Sequence, residues 1–280
     1  MGNLKIVTDS SCTMSDSVKE KLNIHVVPLS VMIDGVVYPD DEQLTGEKFM
    51  SMMAQSKELP KTSQPPIGEF VELFDELGKD GSEVLAIHMT KALSGTVEAA
   101  RQASNLSKSK VTVFETDMTD QGLSFAVIKA AELAQAGKSV EEVIPAVEKV
   151  LANTKLFIGL STLENLVKGG RISRAKGMLS SFLNMRVIME LKNSELLPVV
   201  KGRGAKTFNK WFDELKTELK NNKQIQKIGI SYAGGIEQSA KFKQELQELF
   251  PKMDICLLHT TPIIATHTGE GAFAIMYYSE

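Results

Sequence analysis

The run EVLAIHMTKALSGTVEAARQASN, residues 83–105, decides the fold. Residues 83–89 form an apolar, β-prone stretch that predicts a strand, and residues 94–105 carry helix spacing. A short turn containing Leu93-Ser94-Gly95-Thr96 links the two. The same order repeats at once, with a strand predicted over 110–115 and a helix over 121–136. Repeated strand–turn–helix units imply a parallel sheet with helices on both faces.

Working upstream, residues 5–8 predict a strand that closes on the polar turn Asp9-Ser10-Ser11. Residues 25–33 predict a second strand, which Pro28 places near an edge or bulge. Residues 47–55 look helical. Thr62-Ser63-Gln64-Pro65-Pro66 predicts a stiff loop, followed by a helix in which Ile67, Phe70, Val71, Phe74 and Leu77 share one face.

Downstream, a helix over 140–152 and a strand over 155–160 end this rhythm. Strands over 186–191 and 195–201 form a hairpin through Lys192-Asn193-Ser194. Helices over 205–220 and 236–250 and strands over 227–232, 254–259 and 272–278 follow. The pattern predicts two domains: an N-terminal parallel-sheet α/β domain over 1–158, and a C-terminal α+β domain over 159–280 with a mostly antiparallel sheet.

The 280 residues are 42% hydrophobic and 24% charged, the balance of a globular protein, and the net charge of −3 speaks against a nucleic-acid binder. Cys12 and Cys256 are too few and too far apart for a disulfide framework, which points to a reducing compartment. The opening residues lack a signal-peptide pattern, and no apolar run approaches the ~20 residues of a membrane span. The expectation is a soluble cytoplasmic protein.

Three segments set small hydroxyl residues beside Gly or Pro at predicted strand ends, where open α/β sheets bind ligands. They are Thr62-Ser63-Gln64-Pro65, Leu93-Ser94-Gly95-Thr96 and Thr266-His267-Thr268-Gly269. As the N-cap of its helix, Ser94 would sit where amides and the helix dipole favour an anion. Ser94 and Thr62 equally suit residues that only shape turns. His267, in a predicted polar loop, can serve a carboxylate or be structural.

Between Lys168 and Arg186 the chain is basic, with Arg171, Arg174 and Lys176 beside Met178, Leu179 and Phe182. Such a helix can lie on an anionic membrane or pack as a core helix with a solvated basic side. Arg203, within Lys201-Gly202-Arg203-Gly204, can contact phosphate or an acidic partner, or merely end a hairpin.

No G-x-S-x-G elbow, Walker A sequence or His-Glu-x-x-His occurs. Residues 269–274 fit the loose dinucleotide pattern but precede a predicted strand instead of a helix. The four histidines are too scattered to suggest a metal site.

Five motifs resemble the DegV family, in order and across the whole chain: Val-Thr-Asp-Ser-Ser (7–11), Thr-Ser-Gln-Pro (62–65), Leu-Ser-Gly-Thr (93–96), Gly-Gly-Arg-Ile-Ser (169–173) and Thr-Thr-Pro-Ile-Ile-Ala-Thr-His-Thr-Gly (260–269). Within that family the chain is similar to the fatty-acid-binding subunits of bacterial fatty acid kinase systems. The resemblance implies two α/β domains with a lipid tunnel between them, no cofactor, no metal and no catalysis by this chain.

It further implies that Thr62, Ser94 and His267 engage the carboxyl of a long-chain fatty acid, and that Arg203 contacts the kinase partner. The product would be acyl-phosphate for phospholipid synthesis. Arg171, Arg174, Lys176, Met178, Leu179 and Phe182 match a docking helix that touches the inner face of the membrane transiently. Two other readings compete: a lipid-sensing regulatory protein, and a hydrolase using Ser94 as nucleophile and His267 as base. Glu270, Glu115-Thr116-Asp117 and Ser231-Tyr232-Ala233-Gly234-Gly235 depart from the family pattern.

Overall fold

The unbroken burial of residues 84–88 reflects a strand covered on both faces, and the computed structural model shows what covers it. It describes residues 4–174, 185–204 and 206–280. The chain runs β1 (Leu4–Asp9), α1 (Asp16–Lys21), β2 (Ile24–Val27), β3 (Ser30–Ile33), β4 (Val36–Pro39), α2 (Gly46–Gln55), β5 (Lys61–Ser63), α3 (Ile67–Gly78), β6 (Glu83–His88), α4 (Thr96–Leu106), β7 (Val111–Glu115), α5 (Asp120–Gln135) and α6 (Val140–Ala152). It continues through β8 (Thr154–Leu160), α7 (Glu164–Lys168), a 3₁₀ turn at Arg171–Arg174, β9 (Arg186–Lys192), β10 (Glu195–Gly202), α8 (Lys206–Asn221), β11 (Ile225–Tyr232), α9 (Glu237–Leu249), β12 (Cys256–His259), α10 (Pro262–Thr268) and β13 (Phe273–Ser279).

The first sheet is four-stranded and parallel, in the order β2-β1-β6-β7. Its side chains divide by the two-residue strand period. Val7, Val84 and Ala86 pack on Phe70 and Phe74 of α3 and the alanines of α4. Ile6, Leu85 and Ile87 face the other way, into a core shared with α5 and α6. The Ser139–Glu142 capping box starts α6, and Val140, Val143, Val147 and Val150 bury its inner face.

The second sheet is six-stranded, β10-β9-β8-β13-β11-β12, and antiparallel except between β11 and β12. β8 pairs with β13 from Thr154 to Gly159, so it belongs to this sheet on both sides of residue 158. Aromatic residues of α8 and α9 cover one face: Phe208, Trp211, Phe212 and Phe242 meet Phe157, Phe273 and Tyr277. The opposite face presents Leu156, Met189, Leu191 and Met276 to the same core that receives α5. That helix is therefore held between the two sheets, and Asp120–Val127 is buried without interruption.

One expected strand proves to be two. The chain leaves the parallel sheet at Pro28, which has no N–H to give, and the Ser10 hydroxyl takes the Leu29 amide at 3.0 Å. β3 then enters a separate three-stranded antiparallel sheet, β4-β3-β5. The expected loop at Thr62-Ser63 is correspondingly a strand, with Thr62 paired to Val31.

The two large sheets are tied at Asp120. This residue adopts φ +54°, and its amide donates to the Ser11 carbonyl at 2.8 Å. Its carboxylate accepts from Ser231 Oγ at 2.6 Å, Thr260 Oγ1 at 3.0 Å and the Gln121 amide at 2.8 Å. Gln121 adds a bond from Nε2 to the Ile230 carbonyl at 2.8 Å. The ends of β1, β11 and β12 thus converge on one buried group. Replacing Asp120 with Ala strands the Ser231 and Thr260 hydroxyls and should cost on the order of 3 kcal/mol in urea unfolding.

Candidate functional site

Thr62 is placed by the pairing of β5 with β3, and Ser94 by the turn after β6. His267 comes from a helix, where the sequence suggested a loop. Thr261 is extended at φ −72°, ψ 154°, and Pro262 occupies the first turn of α10. Proline is preorganised for that position because its missing N–H is not needed there. His267 lies in the last turn, one residue before the helix ends at Thr268, with Gly269 as its C-cap.

These elements meet at a pocket of about 370 Å³ whose walls include Thr62, Ser94, Arg171 and His267. Leu29, Met89, Ile158, Leu166, Leu196 and Ile264 supply apolar wall. A small cavity of about 20 Å³ adjoins it, shares Thr119, Ile158, Ile264 and Thr268 with the first, and is also lined by Asp120, Ser231 and Thr260. A larger crevice, about 630 Å³, opens near α6 and the β9–β10 hairpin, but Lys91, Glu115, Asp117, Lys155 and Glu190 make it strongly charged.

Nε2 of His267 is 2.9 Å from Thr62 Oγ1. Its Nδ1 is buried with no partner among the described residues, and it lies against Gly169, where a Cβ would come within 2.3 Å. Burial and then the charge of Arg171 push the ring down to about 4, so it is neutral at pH 7. Arg171 is half-buried: its Nε donates to the Leu93 carbonyl at 3.0 Å and its Nη1 to the Gly169 carbonyl at 2.8 Å. Burial lowers its own pKa.

Ser94 is not the N-cap, which is Gly95. The Ser94 hydroxyl instead lies 2.8 Å from Thr96 Oγ1 and receives the Thr96 amide at 3.4 Å. Gly95 packs directly on the end of the Gln64 side chain, whose Oε1 a Cβ there would meet at 2.1 Å and displace. The motif holding Thr62 and the motif holding Ser94 therefore interlock through Gln64 and Gly95.

Three of the residues singled out from sequence, Thr62, Ser94 and His267, come together. Arg171, expected on a membrane-facing side, turns inward to the pocket wall. Arg174 closes the 3₁₀ turn, and Lys176, Met178, Leu179 and Phe182 lie outside the described residues. Arg203 is exposed at the end of β10 and belongs to no pocket wall described above. Glu270 accepts from the Gly235 amide at 3.3 Å and is likewise not a wall of the pocket.

Sequence reasoning missed the buried acids beside the pocket. Asp9 accepts from the Ser11 amide at 3.1 Å, Ser11 Oγ at 2.6 Å and the Met89 amide at 3.0 Å, and it meets His88 Nδ1 at 3.0 Å. Burial raises its pKa, but these bonds outweigh burial and hold it below the usual range. Burial pushes Asp40 up to about 7, although the nearby Ser10 hydroxyl and Ile263 amide favour its charged form, and its Oδ2 has no partner among the described residues. The hydroxyl-rich turn at 9–11 was the available signal.

No group of His, Cys, Asp and Glu among the described residues could hold a metal ion. No described helix is long and apolar enough to cross a membrane.

Residues 3–280 match the family model described as "Uncharacterised protein, DegV family". A DegV domain-containing protein of Streptococcus pneumoniae serotype 4 is 54% identical over 276 residues, covering 99% of this chain and 98% of the relative. The crystal structure of DegV from Bacillus subtilis, described as a fatty acid binding protein, superposes with a TM-score of 0.91 at 30% identity, covering 100% of both chains. A DegV family protein of Thermus thermophilus, described by its fatty acid binding, gives 0.89 at 27% identity, covering 99% of this chain and 100% of the other.

The neutral, buried His267 has a consequence for stability. Its folded pKa lies below the ordinary 6.5, so its contribution is complete above pH 6.5 and is lost as pH falls toward 4. Across that window the loss should approach roughly 3 kcal/mol. Urea titrations at pH 7 and pH 4.5 should show this loss in the wild type and a smaller one in His267→Gln. Equal losses in both would refute it.

Proposed function

The chain belongs to the DegV family, and from that premise we propose that it holds one long-chain fatty acid and presents the carboxyl group to a separate ATP-dependent kinase. The observation that carries this reading is the pocket's division of chemistry. Thr62, Ser94, Arg171 and His267 gather hydrogen-bonding groups and one positive charge, while the remaining wall is largely apolar.

A long acyl chain has roughly a dozen or more methylenes, each worth about 0.8 kcal/mol on burial. The tail therefore supplies ample affinity even after ordering costs. The head needs hydrogen bonds or a counter-charge to leave water. Hydroxyls and a neutral imidazole meet that need and leave a carboxylate oxygen nucleophilic. The tail would lie between the two sheets, along the apolar wall of the pocket.

In the proposed transfer, a carboxylate oxygen attacks the γ-phosphorus of ATP held by the kinase. The new oxygen–phosphorus bond forms as the bond to the bridging oxygen breaks, and ADP leaves with that electron pair. The acyl-phosphate then serves phospholipid synthesis. Arg203, exposed and outside the pocket, suits contact with the kinase or the transferring phosphate. The basic and apolar residues from Arg174 to Phe182 suit transient docking on the inner face of an anionic membrane.

A hydrolase is disfavoured by geometry: Ser94 is bonded to Thr96 and His267 to Thr62, and among the described residues no bond joins Ser94 to His267. A purely regulatory lipid sensor would form no acyl-phosphate when kinase and ATP are added.

Mass spectrometry of material released by denaturing the purified protein should find about one equivalent of long-chain fatty acid. With kinase and ATP the wild type should yield acyl-phosphate. Ser94→Ala should lower that yield about tenfold through loss of a bond to a charged oxygen, with little loss of retained fatty acid. Absence of bound lipid, or of binding when fatty acid is supplied, would overturn the proposal.

A further inference from the structure

The hairpin β9–β10 turns through Asn193 and Ser194, both left-handed at φ +50° and +61°. This is the arrangement of a two-residue turn with positive φ at both positions, where glycine is favoured second. Serine at 194 works against the turn, so its side chain invites explanation. The Ser194 hydroxyl accepts from Thr90 Oγ1 at 3.2 Å and donates to Asp117 Oδ1. Thr90 Oγ1 in turn accepts from the Ala92 amide at 3.2 Å. A directed relay therefore runs from the Ala92 amide through two hydroxyls to a carboxylate, an order in which each bond polarises the next.

The relay joins the second sheet to the turn that carries Ser94. The Thr90 carbonyl accepts from the Leu93 amide at 3.1 Å and the Ser94 amide at 3.4 Å. Thr90 itself is fully buried, and its amide donates to the Met118 carbonyl at 3.2 Å. The same hairpin supplies Leu196 to the pocket wall. One side chain thus hooks a wall of the pocket onto the turn that holds a proposed carboxyl ligand. The hook borders the solvent-open charged crevice, whose walls include Asp117, Asn193 and Ser194.

We propose that Ser194 is an interlobe latch: bonded to Thr90 and Asp117, it holds the hairpin wall closed and the Ser94 turn in place, and its release opens the pocket for ligand exchange. The exchange step rests on the fatty-acid reading above, whereas the hold on the Ser94 turn does not. Ser194 is a positioning residue and touches no ligand.

Ser194→Gly separates the latch from the hairpin, because glycine favours the turn while removing the hydroxyl. In the ligand-free protein, hydrogen exchange read on a peptide spanning residues 89–97 should accelerate about tenfold, as expected for losing a charge-terminated bond. The thermal midpoint should stay at or above that of the wild type. With carboxyl-labelled palmitate as probe, dissociation should also speed by about tenfold, and Asp117→Asn, which keeps an acceptor oxygen, should fall between. Unchanged exchange at 89–97, or faster exchange everywhere with a lowered midpoint, would overturn the latch. Palmitate failing to bind even the wild type would instead overturn the fatty-acid reading, with the exchange result still deciding the latch. Palmitate leaving wild type and Ser194→Gly at equal rates would overturn the exchange step.

Discussion

The Asp120 carboxylate is buried where strand ends from both large sheets meet, and the arrangement of the pocket depends on its being satisfied there. Burial raises its pKa, while bonds from Ser231, Thr260 and the Gln121 amide oppose that rise. A carboxylate in this setting tolerates little displacement, since each lost bond leaves a polar group stranded. Its partners lie at the ends of β11 and β12, and its own amide binds the turn after β1. The sheets are thus registered against each other at the edge from which α10, and with it His267, departs.

Polar groups are concentrated along this seam because the strand ends aim there. Asp9 binds the Met89 amide, which leads into the Thr90–Ser94 turn, while Asp40 meets the first turn of α10 at Ile263. Each buried acid holds a backbone segment that carries a pocket residue. The polar side chains of the pocket remain mostly uncharged: hydroxyls, the Gln64 amide, a neutral imidazole and one guanidinium already bonded to two carbonyls. A rim of this kind can hold an anion by hydrogen bonds with the charge contribution limited to Arg171, which leaves the anion available for reaction.

Periodicity revealed the repeated strand–turn–helix units around Glu83–His88 and the late hairpin, because both patterns are local. The hydroxyl-bearing motifs pointed to Thr62, Ser94 and His267. What periodicity could not show was the consequence of contacts distant in sequence. Residues 25–33 read as one strand, yet Pro28 and the Ser10 hydroxyl divide it between two sheets. Residues 262–268 are too short and too rich in threonine to announce a helix, which Pro262 starts and Gly269 stops. The interlocking of Gln64 with Gly95 and of His267 with Gly169 is a three-dimensional fit, invisible as spacing. Asp120 lay at an unremarked helix start, and only burial reveals its weight.

The central claim is that Thr62, Ser94 and His267, with Arg171 beside them, hold the carboxyl group of a fatty acid whose tail enters the apolar part of the pocket. Carbon-13 NMR of a long-chain fatty acid labelled at its carboxyl carbon tests this most directly. The account predicts one bound resonance, distinct from free acid, that moves in Thr62→Val and in His267→Gln but not in Glu190→Gln at the charged crevice. A carboxyl resonance that titrates like free acid and ignores the pocket substitutions would contradict it.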